Sequence, residues 1–295
     1  MSIPTITLNN GVVMPQIGLG VYLTPAEQTA AAVASALAAG YRHIDTAAAY
    51  GNEAGVGQGI AQSGIDRAEL FVTTKLWIAD YGREATQRAF EDSLQKLGTD
   101  YLDLYLLHWP TPSNFEATMA SWQLMEELRA HGRIRAIGVC NFTAEQIDTL
   151  IARTGIVPTV NQVELHPLFS QTGLQAANQA RNIVTEAWSP LGGVYTNHPA
   201  DPNQPIRLLD LPLLKELAAQ YNKSPAQIVL RWHLQHGRVV IPKSVHAARM
   251  AENIDLFDFT LSDQHMAVLN ALNQDQRGGP HPDQFDMDFL AARQS

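Results

Sequence analysis

Four residues whose side chains can take or give a proton stand where short apolar runs end. Asp45 closes the run His43 to Asp45, Lys75 follows Leu70 to Thr74, and His108 follows Leu102 to Leu107. Tyr50 lies shortly beyond Asp45, past the small residues Thr46, Ala47, Ala48 and Ala49, which leave its hydroxyl free to point inward. Each has an ordinary reading alone: Asp45 as a helix cap, Lys75 as a solvated loop cation, His108 as a core histidine, Tyr50 as packing. If the three runs are neighbouring strands, they deliver an acid, a base and an imidazole to one rim, and a site becomes the better reading.

The elements around them support that arrangement. Apolar runs at Ile17 to Leu19, His43 to Asp45, Leu70 to Thr74, Leu102 to Leu107, Ile134 to Val139, Thr159 to Val163, Ile183 to Ala187 and Arg238 to Ile241 alternate with helical patterns. Strands separated by helices imply right-handed parallel crossovers, and continuous apolar strands imply burial on both faces. Eight such units predict a closed (β/α)8 TIM barrel, whose chemistry sits at the C-terminal ends of its strands. Thr24, Pro25 and Glu27 predict a capped helix start, with Gly40 as its stop, and Ser224, Pro225 and Gln227 repeat the start pattern. Residues 1–16, with Asn9, Asn10 and Gly11 at the turn, predict a hairpin acting as a lid or plug.

A length of 295 residues also admits two domains, but no linker or shift of composition divides the chain. The expectation is one domain over 1–295, with the hairpin at 1–16 and a polar C-terminal loop or flap at 274–295. Gly193 to Pro212, rich in proline, is read as an active-site loop.

The net charge of −9 works against nucleic acid or anionic membrane as a partner. No lysine or arginine precedes Arg42, so the basic start of a signal peptide is missing, and no run is long enough to span a bilayer. A single cysteine, Cys140, cannot form an internal disulfide. A soluble cytoplasmic monomer is expected. No metal site is expected: His233 and His236 have helical spacing but no third ligand and are assigned to a surface helix, and His281, Asp283, Asp286 and Asp288 to a solvated tail. Gly18-Leu19-Gly20 and Gly55-Val56-Gly57-Gln58-Gly59 do not sit as a Rossmann fingerprint must, so a dinucleotide would have to bind in another way.

The words around the four rim residues, His43-Ile44-Asp45-Thr46-Ala47, Tyr50-Gly51-Asn52-Glu53, Thr73-Thr74-Lys75-Leu76-Trp77, Asp103 through Pro110, Ile137 through Phe142 and Ile241-Pro242-Lys243-Ser244-Val245, resemble the aldo-keto reductase superfamily. Asn161 through Pro167 and His281-Pro282-Asp283 are most similar to its bacterial 2,5-diketo-D-gluconate reductase branch. The resemblance implies an NADPH-dependent reductase of aldehydes or ketones, with Tyr50 as general acid, Lys75 held by Asp45 and lowering the tyrosine pKa, and His108 orienting and polarising the carbonyl. It further implies that Lys243, Ser244, Val245 and Arg249 bind the 2′-phosphate end, that Glu252 and Asn253 approach adenine, that Trp188 stacks on the nicotinamide beside Ser189 and Leu191, and that Asn141 and Gln162 hold the carboxamide. Cys140 stands where many relatives have serine, and a thiol is a weak donor.

Tyr22, Trp77 and Trp109, each just past a strand, should wall a small-molecule carbonyl pocket. No arginine is clearly placed to clamp a carboxylate, so a small aldehyde, an α-dicarbonyl and a keto sugar acid all remain open. Two other functions fit parts of the pattern: an aldolase-like barrel with Lys75 as Schiff-base nucleophile, and a non-catalytic NADPH-binding relative.

Overall fold

In the computed structural model of the chain, which describes residues 3–192 and 207–292, the apolar runs pair in the order in which they occur. An antiparallel hairpin, β1 (Thr5–Thr7) and β2 (Val13–Pro15), precedes eight parallel strands: β3 (Leu19–Gly20), β4 (His43–Asp45), β5 (Phe71–Leu76), β6 (Leu102–Leu107), β7 (Ile134–Cys140), β8 (Val160–Glu164), β9 (Val184–Trp188) and β10 (Val239–Val240). Each strand pairs with its neighbours in sequence, and bridges from Ile17 to Val240 and from Gly20 to Lys243 join the two edges into a barrel. A Cβ on Gly20 would lie 2.6 Å from the Ile241 carbonyl oxygen, so the seam closes because that residue is glycine.

Helices α1 (Ala26–Ala39), α2 (Glu53–Ser63), α3 (Arg83–Leu97), α4 (Phe115–Ala130), α5 (Ala144–Thr154), α6 (Thr172–Ala180), α7 (Pro212–Tyr221), α8 (Pro225–Gln235), α9 (Ala247–Ile254), α10 (Asp263–Asn270) and α11 (Met287–Ala292) follow the strands and rim loops. Most of the core lies between strands and helices. The hairpin is a plug: its Leu8 and Met14 are buried among Phe71, Leu104, Leu106, Ala136, Val160 and Val239. Gly57 and Gly59 of α2 would bring a Cβ to 2.6 Å from the carbonyls of Leu97 and Ala30, so this glycine run serves close helix packing.

Some details differ from the sequence reading. The α8 capping box forms as expected, with Ser224 and Gln227 each satisfying the other's backbone. At α1 it does not: Pro25 stays extended (ψ 141°), the helix begins at Ala26, and the Thr24 hydroxyl is buried without a partner. Gly40 does stop α1, in the left-handed conformation. His233 is buried rather than on a surface face, its Nε2 3.1 Å from the Pro190 carbonyl at the rim. Of the proposed loop Gly193 to Pro212, residues 193–206 lie outside the described residues; thereafter Leu208–Asp210 form a turn and Pro212 opens α7. Among the described residues no helix is long and apolar enough to cross a membrane, and no group of histidine, cysteine and acidic residues could hold a metal.

Candidate active site

The strands bring Asp45, Tyr50, Lys75 and His108 to the C-terminal mouth of the barrel. Lys75 does not follow the third barrel strand but lies inside β5, fully buried. An ammonium has three hydrogens to place, and here each has an acceptor: Asp45 Oδ1 at 2.5 Å, the Thr46 carbonyl at 2.8 Å and the Tyr50 hydroxyl at 3.4 Å. Tyr50 is carried on a tight turn, Ala48–Tyr50. Asn52 holds that loop, accepting from the Thr46 hydroxyl at 2.9 Å and donating to the carbonyls of Val21 and Thr24. The His108 ring meets Tyr50 edge-on with centroids 5.7 Å apart, and the Asn141 amide donates to the His108 carbonyl at 3.1 Å.

Burial governs the charges. It works against the Lys75 ammonium, but Asp45 and Tyr50 more than offset it and hold Lys75 charged above the ordinary lysine range. The expectation for Tyr50 is corrected: burial pushes its phenol up, and the downward pull of Lys75, itself opposed by Asp45, does not overcome that. Burial and Lys75 together pull His108 well below the ordinary histidine range. At neutral pH the cluster is therefore an ion pair flanked by a protonated phenol and a neutral imidazole. Burial also pushes the Cys140 thiol up, which removes it as a nucleophile.

Asp45, Tyr50, His108 and Cys140 face a cavity of about 790 Å³, with Lys75 buried behind them; Tyr22, Trp77, Trp109, Trp188, Phe285 and Leu290 are among its other lining residues. Tyr22 lies 5.0 Å from the Tyr50 ring and Trp77 lies 5.2 Å from that of His108. The C-terminal segment is more than a polar surface loop: Phe285 stacks on Trp109 at 4.0 Å, and Phe289 and Leu290 also reach the cavity. Glu164, at the end of β8, anchors that segment by accepting from the backbone N–H of Gly278 and Gly279, each at 2.8 Å. A Cβ at Gly279 would lie 2.7 Å from the Trp188 indole. Neither Glu164 nor Phe285 is a candidate on sequence grounds; the glutamate sits in the quoted run Asn161 through Pro167, and the phenylalanine in the C-terminal segment 274–295.

Asn141, Gln162, Trp188, Ser189 and Leu191 line the same cavity, which extends to Lys243. The Trp188 indole N–H donates to Asn141 Oδ1 at 2.8 Å. Beyond Lys243, Ser244 is buried and Val245 partly so, while Arg249, Glu252 and Asn253 belong to α9. Lys243 and Arg249 are exposed, and neither is in an ion pair among the described residues. Glu252 is held by the Ser224 hydroxyl. Among the described residues, Leu23, Thr111, Asn141, Gln171 and Ser189 take positive φ in loops that follow barrel strands. Such backbone strain in non-glycine residues collects at functional rims.

Comparisons with known proteins give the family and the fold. The chain matches the Aldo/keto reductase family over residues 16–274. It is 54% identical to morphine 6-dehydrogenase of Pseudomonas putida over 98% of this chain and 97% of that one. To methylglyoxal reductase DkgA of Escherichia coli it is 47% identical, over 97% and 99% of the two chains. The crystal structure of a Bombyx mori aldo-keto reductase in complex with NADP superposes with a TM-score of 0.87 at 38% identity, over 99% of this chain and 97% of that one. With a family match over most of its length and near full-length relatives, the chain belongs to the aldo/keto reductase family.

Proposed function

We propose that this protein reduces aldehydes and ketones to alcohols with NADPH. When bound, the cofactor supplies a hydride to the carbonyl carbon. The chain's own task is then to place a proton on the oxygen and to stabilise the charge that develops there. Tyr50 is the donor: its phenol stays protonated, and its oxygen already accepts a hydrogen bond from Lys75. As the phenolic proton leaves, the Lys75 ammonium faces a developing phenolate, so their attraction is stronger in the transition state than in the ground state, and that difference accelerates the reaction. Asp45 keeps that ammonium charged and aimed, and the neutral His108 donates to or orients the carbonyl oxygen. The three-way commitment of Lys75, with Tyr50 at the cavity wall, is the observation that carries this reading. It also disfavours a Schiff-base role, which needs a free amine.

The residues present fit the cofactor. The cavity runs from the tetrad past Trp188 to Lys243, and Lys243 and Arg249 are exposed cations without ion pairs among the described residues, suited to a phosphate as a point charge and a planar fork. Ser244 and Val245 would complete that end, Glu252 and Asn253 would approach the adenine, and Asn141 and Gln162 would hold the carboxamide. Arg249→Ala should weaken NADPH binding roughly ten- to hundredfold, from the roughly 1.5–3 kcal/mol of a charge-assisted hydrogen bond, and leave NADH nearly unchanged. Equal weakening of the two, titrated by protein fluorescence, would remove Arg249 from the 2′-phosphate.

We further propose that the substrate is an uncharged carbonyl with an apolar body. The cavity wall is mostly aromatic and aliphatic, and among the described residues no arginine lines it. Assayed by NADPH consumption, aromatic aldehydes and α-diketones should outperform keto sugar acids in kcat/KM by about tenfold or more. Removing the Phe285 ring, as Phe285→Ala, should raise KM for aromatic aldehydes up to about tenfold, with little change for methylglyoxal. A preference for keto sugar acids would overturn this substrate assignment while leaving the reductase reading intact.

A further inference from the structure

Behind the tetrad, deeper in the barrel, lies a second carboxyl that the mechanism above does not use. Glu186, on β9, is fully buried and faces Gln162 from β8, Asp45 and His43 from β4, and Lys75 from β5. The Gln162 side-chain amide spends one N–H on Asp45 Oδ2 at 2.8 Å and the other on Glu186 Oε2 at 2.9 Å. The opposite orientation of the amide would set its oxygen against the Asp45 carboxylate, which has no hydrogen to donate, so this assignment is dictated by chemistry. The Gln162 oxygen is then turned away from both carboxyls. Its neighbour is the Cys140 thiol, a weak donor at a long 3.8 Å, and both residues line the cavity.

A second carboxylate beside Asp45 would add uncompensated charge to the core. The geometry avoids this: burial, reinforced by Asp45, pushes Glu186 up to about 8, so at neutral pH it is mainly the uncharged acid. His43, the nearest base, is held neutral by burial and Lys75, which pull it down to about 3, and its Nε2 stays 3.9 Å from Glu186 Oε1. Glu186 therefore gives Gln162 an acceptor without giving the cluster a charge.

We infer that Glu186 is a positioning residue: by accepting the second N–H of Gln162 it fixes the direction of that amide, so that the Gln162 oxygen is presented to the carboxamide N–H of the bound nicotinamide. This inference rests on the reductase reading and deepens it. Without the Glu186 acceptor, Gln162 has one reason to point its nitrogen inward instead of two, and the carboxamide meets an amide free to turn.

The test compares two cofactors by equilibrium binding, with no turnover needed. One is NADPH; the other is its acetylpyridine analogue, in which a methyl ketone replaces the carboxamide and no N–H is offered. Glu186→Leu should weaken NADPH by roughly three- to tenfold, the range of one neutral hydrogen bond, and leave the analogue unchanged. Glu186→Gln, which restores an uncharged acceptor, should recover wild-type NADPH affinity. Glu186→Met, of similar volume, carries the same comparison should Glu186→Leu not fold. Parallel weakening of both cofactors, or no weakening of NADPH, would overturn the role of Glu186 and leave the reductase reading standing. Failure of the wild-type chain to bind NADPH at all would overturn both.

Discussion

Tyr50→Phe should lower kcat by roughly two to four orders of magnitude, the range of a general acid's contribution, while KM for the carbonyl and the affinity for NADPH change little. The substitution removes one oxygen from a ring already packed between Tyr22 and His108. It also leaves a fully buried Lys75 with two acceptors in place of three, so a small loss of stability is expected. The pH profile sharpens the test. Burial pushes Tyr50 above its ordinary range near 10, and burial with Lys75 pulls His108 below its ordinary range near 6.5. Neither group changes protonation between those limits in the free protein, so neither should produce a limb in kcat/KM there. Near-wild-type turnover by Tyr50→Phe in single-turnover measurements would remove the tyrosine from the proton transfer.

Lys75→Met should be catalytically dead and markedly less stable. Breaking a buried ion pair by removing one partner costs roughly 3–5 kcal/mol, here because Asp45 would be left buried with only Gln162 to satisfy it. The loss has a pH signature. Burial raises the Asp45 pKa, and Lys75 is the main influence opposing it. In the mutant the carboxyl is therefore neutral in the folded state at pH values where it ionises in the unfolded chain. A group raised in this way contributes stability at low pH and loses it as pH rises through the folded-state value. The gap between wild type and mutant should therefore widen in denaturant titrations as pH rises above the ordinary aspartate range, and the double change Lys75→Met with Asp45→Leu should close most of it. A mutant that no longer binds NADPH would give Lys75 a binding role instead.

Much of the fold and of the tetrad was legible because a barrel strand marks its own end: the apolar run stops, and the first polar residue is at the rim. Asp45 and His108 were placed in this way. Lys75 lies one step further in than the end of the apolar run at Thr74 implies, because the strand continues through a fully buried lysine. The same bias hides Glu186 and Glu164, which lie inside or at the end of apolar runs, where a carboxyl is tolerable only because a remote partner meets it: Gln162 on the adjacent strand for Glu186, the backbone of Gly278 and Gly279 for Glu164. The direction of the Tyr50 shift could not be read from residue types, since burial and two opposing charges compete at one oxygen. Phe285 and Trp109 are remote in sequence, and no local pattern announces that one will stack on the other.

The anchoring of the C-terminal segment by Glu164 separates two inheritances within one chain. The groups proposed for the chemistry are borne on β4, β5, the turn after β4 and the loop after β6, whereas Phe285, Phe289 and Leu290 come from a segment tied down through backbone N–H groups of Gly278 and Gly279. A tie through the backbone is blind to the side chains beyond it. Residues after Gly279 are thus free to drift, lengthen or be exchanged with the attachment intact, and the pocket can be refitted to a new molecule without disturbing the machinery beneath it.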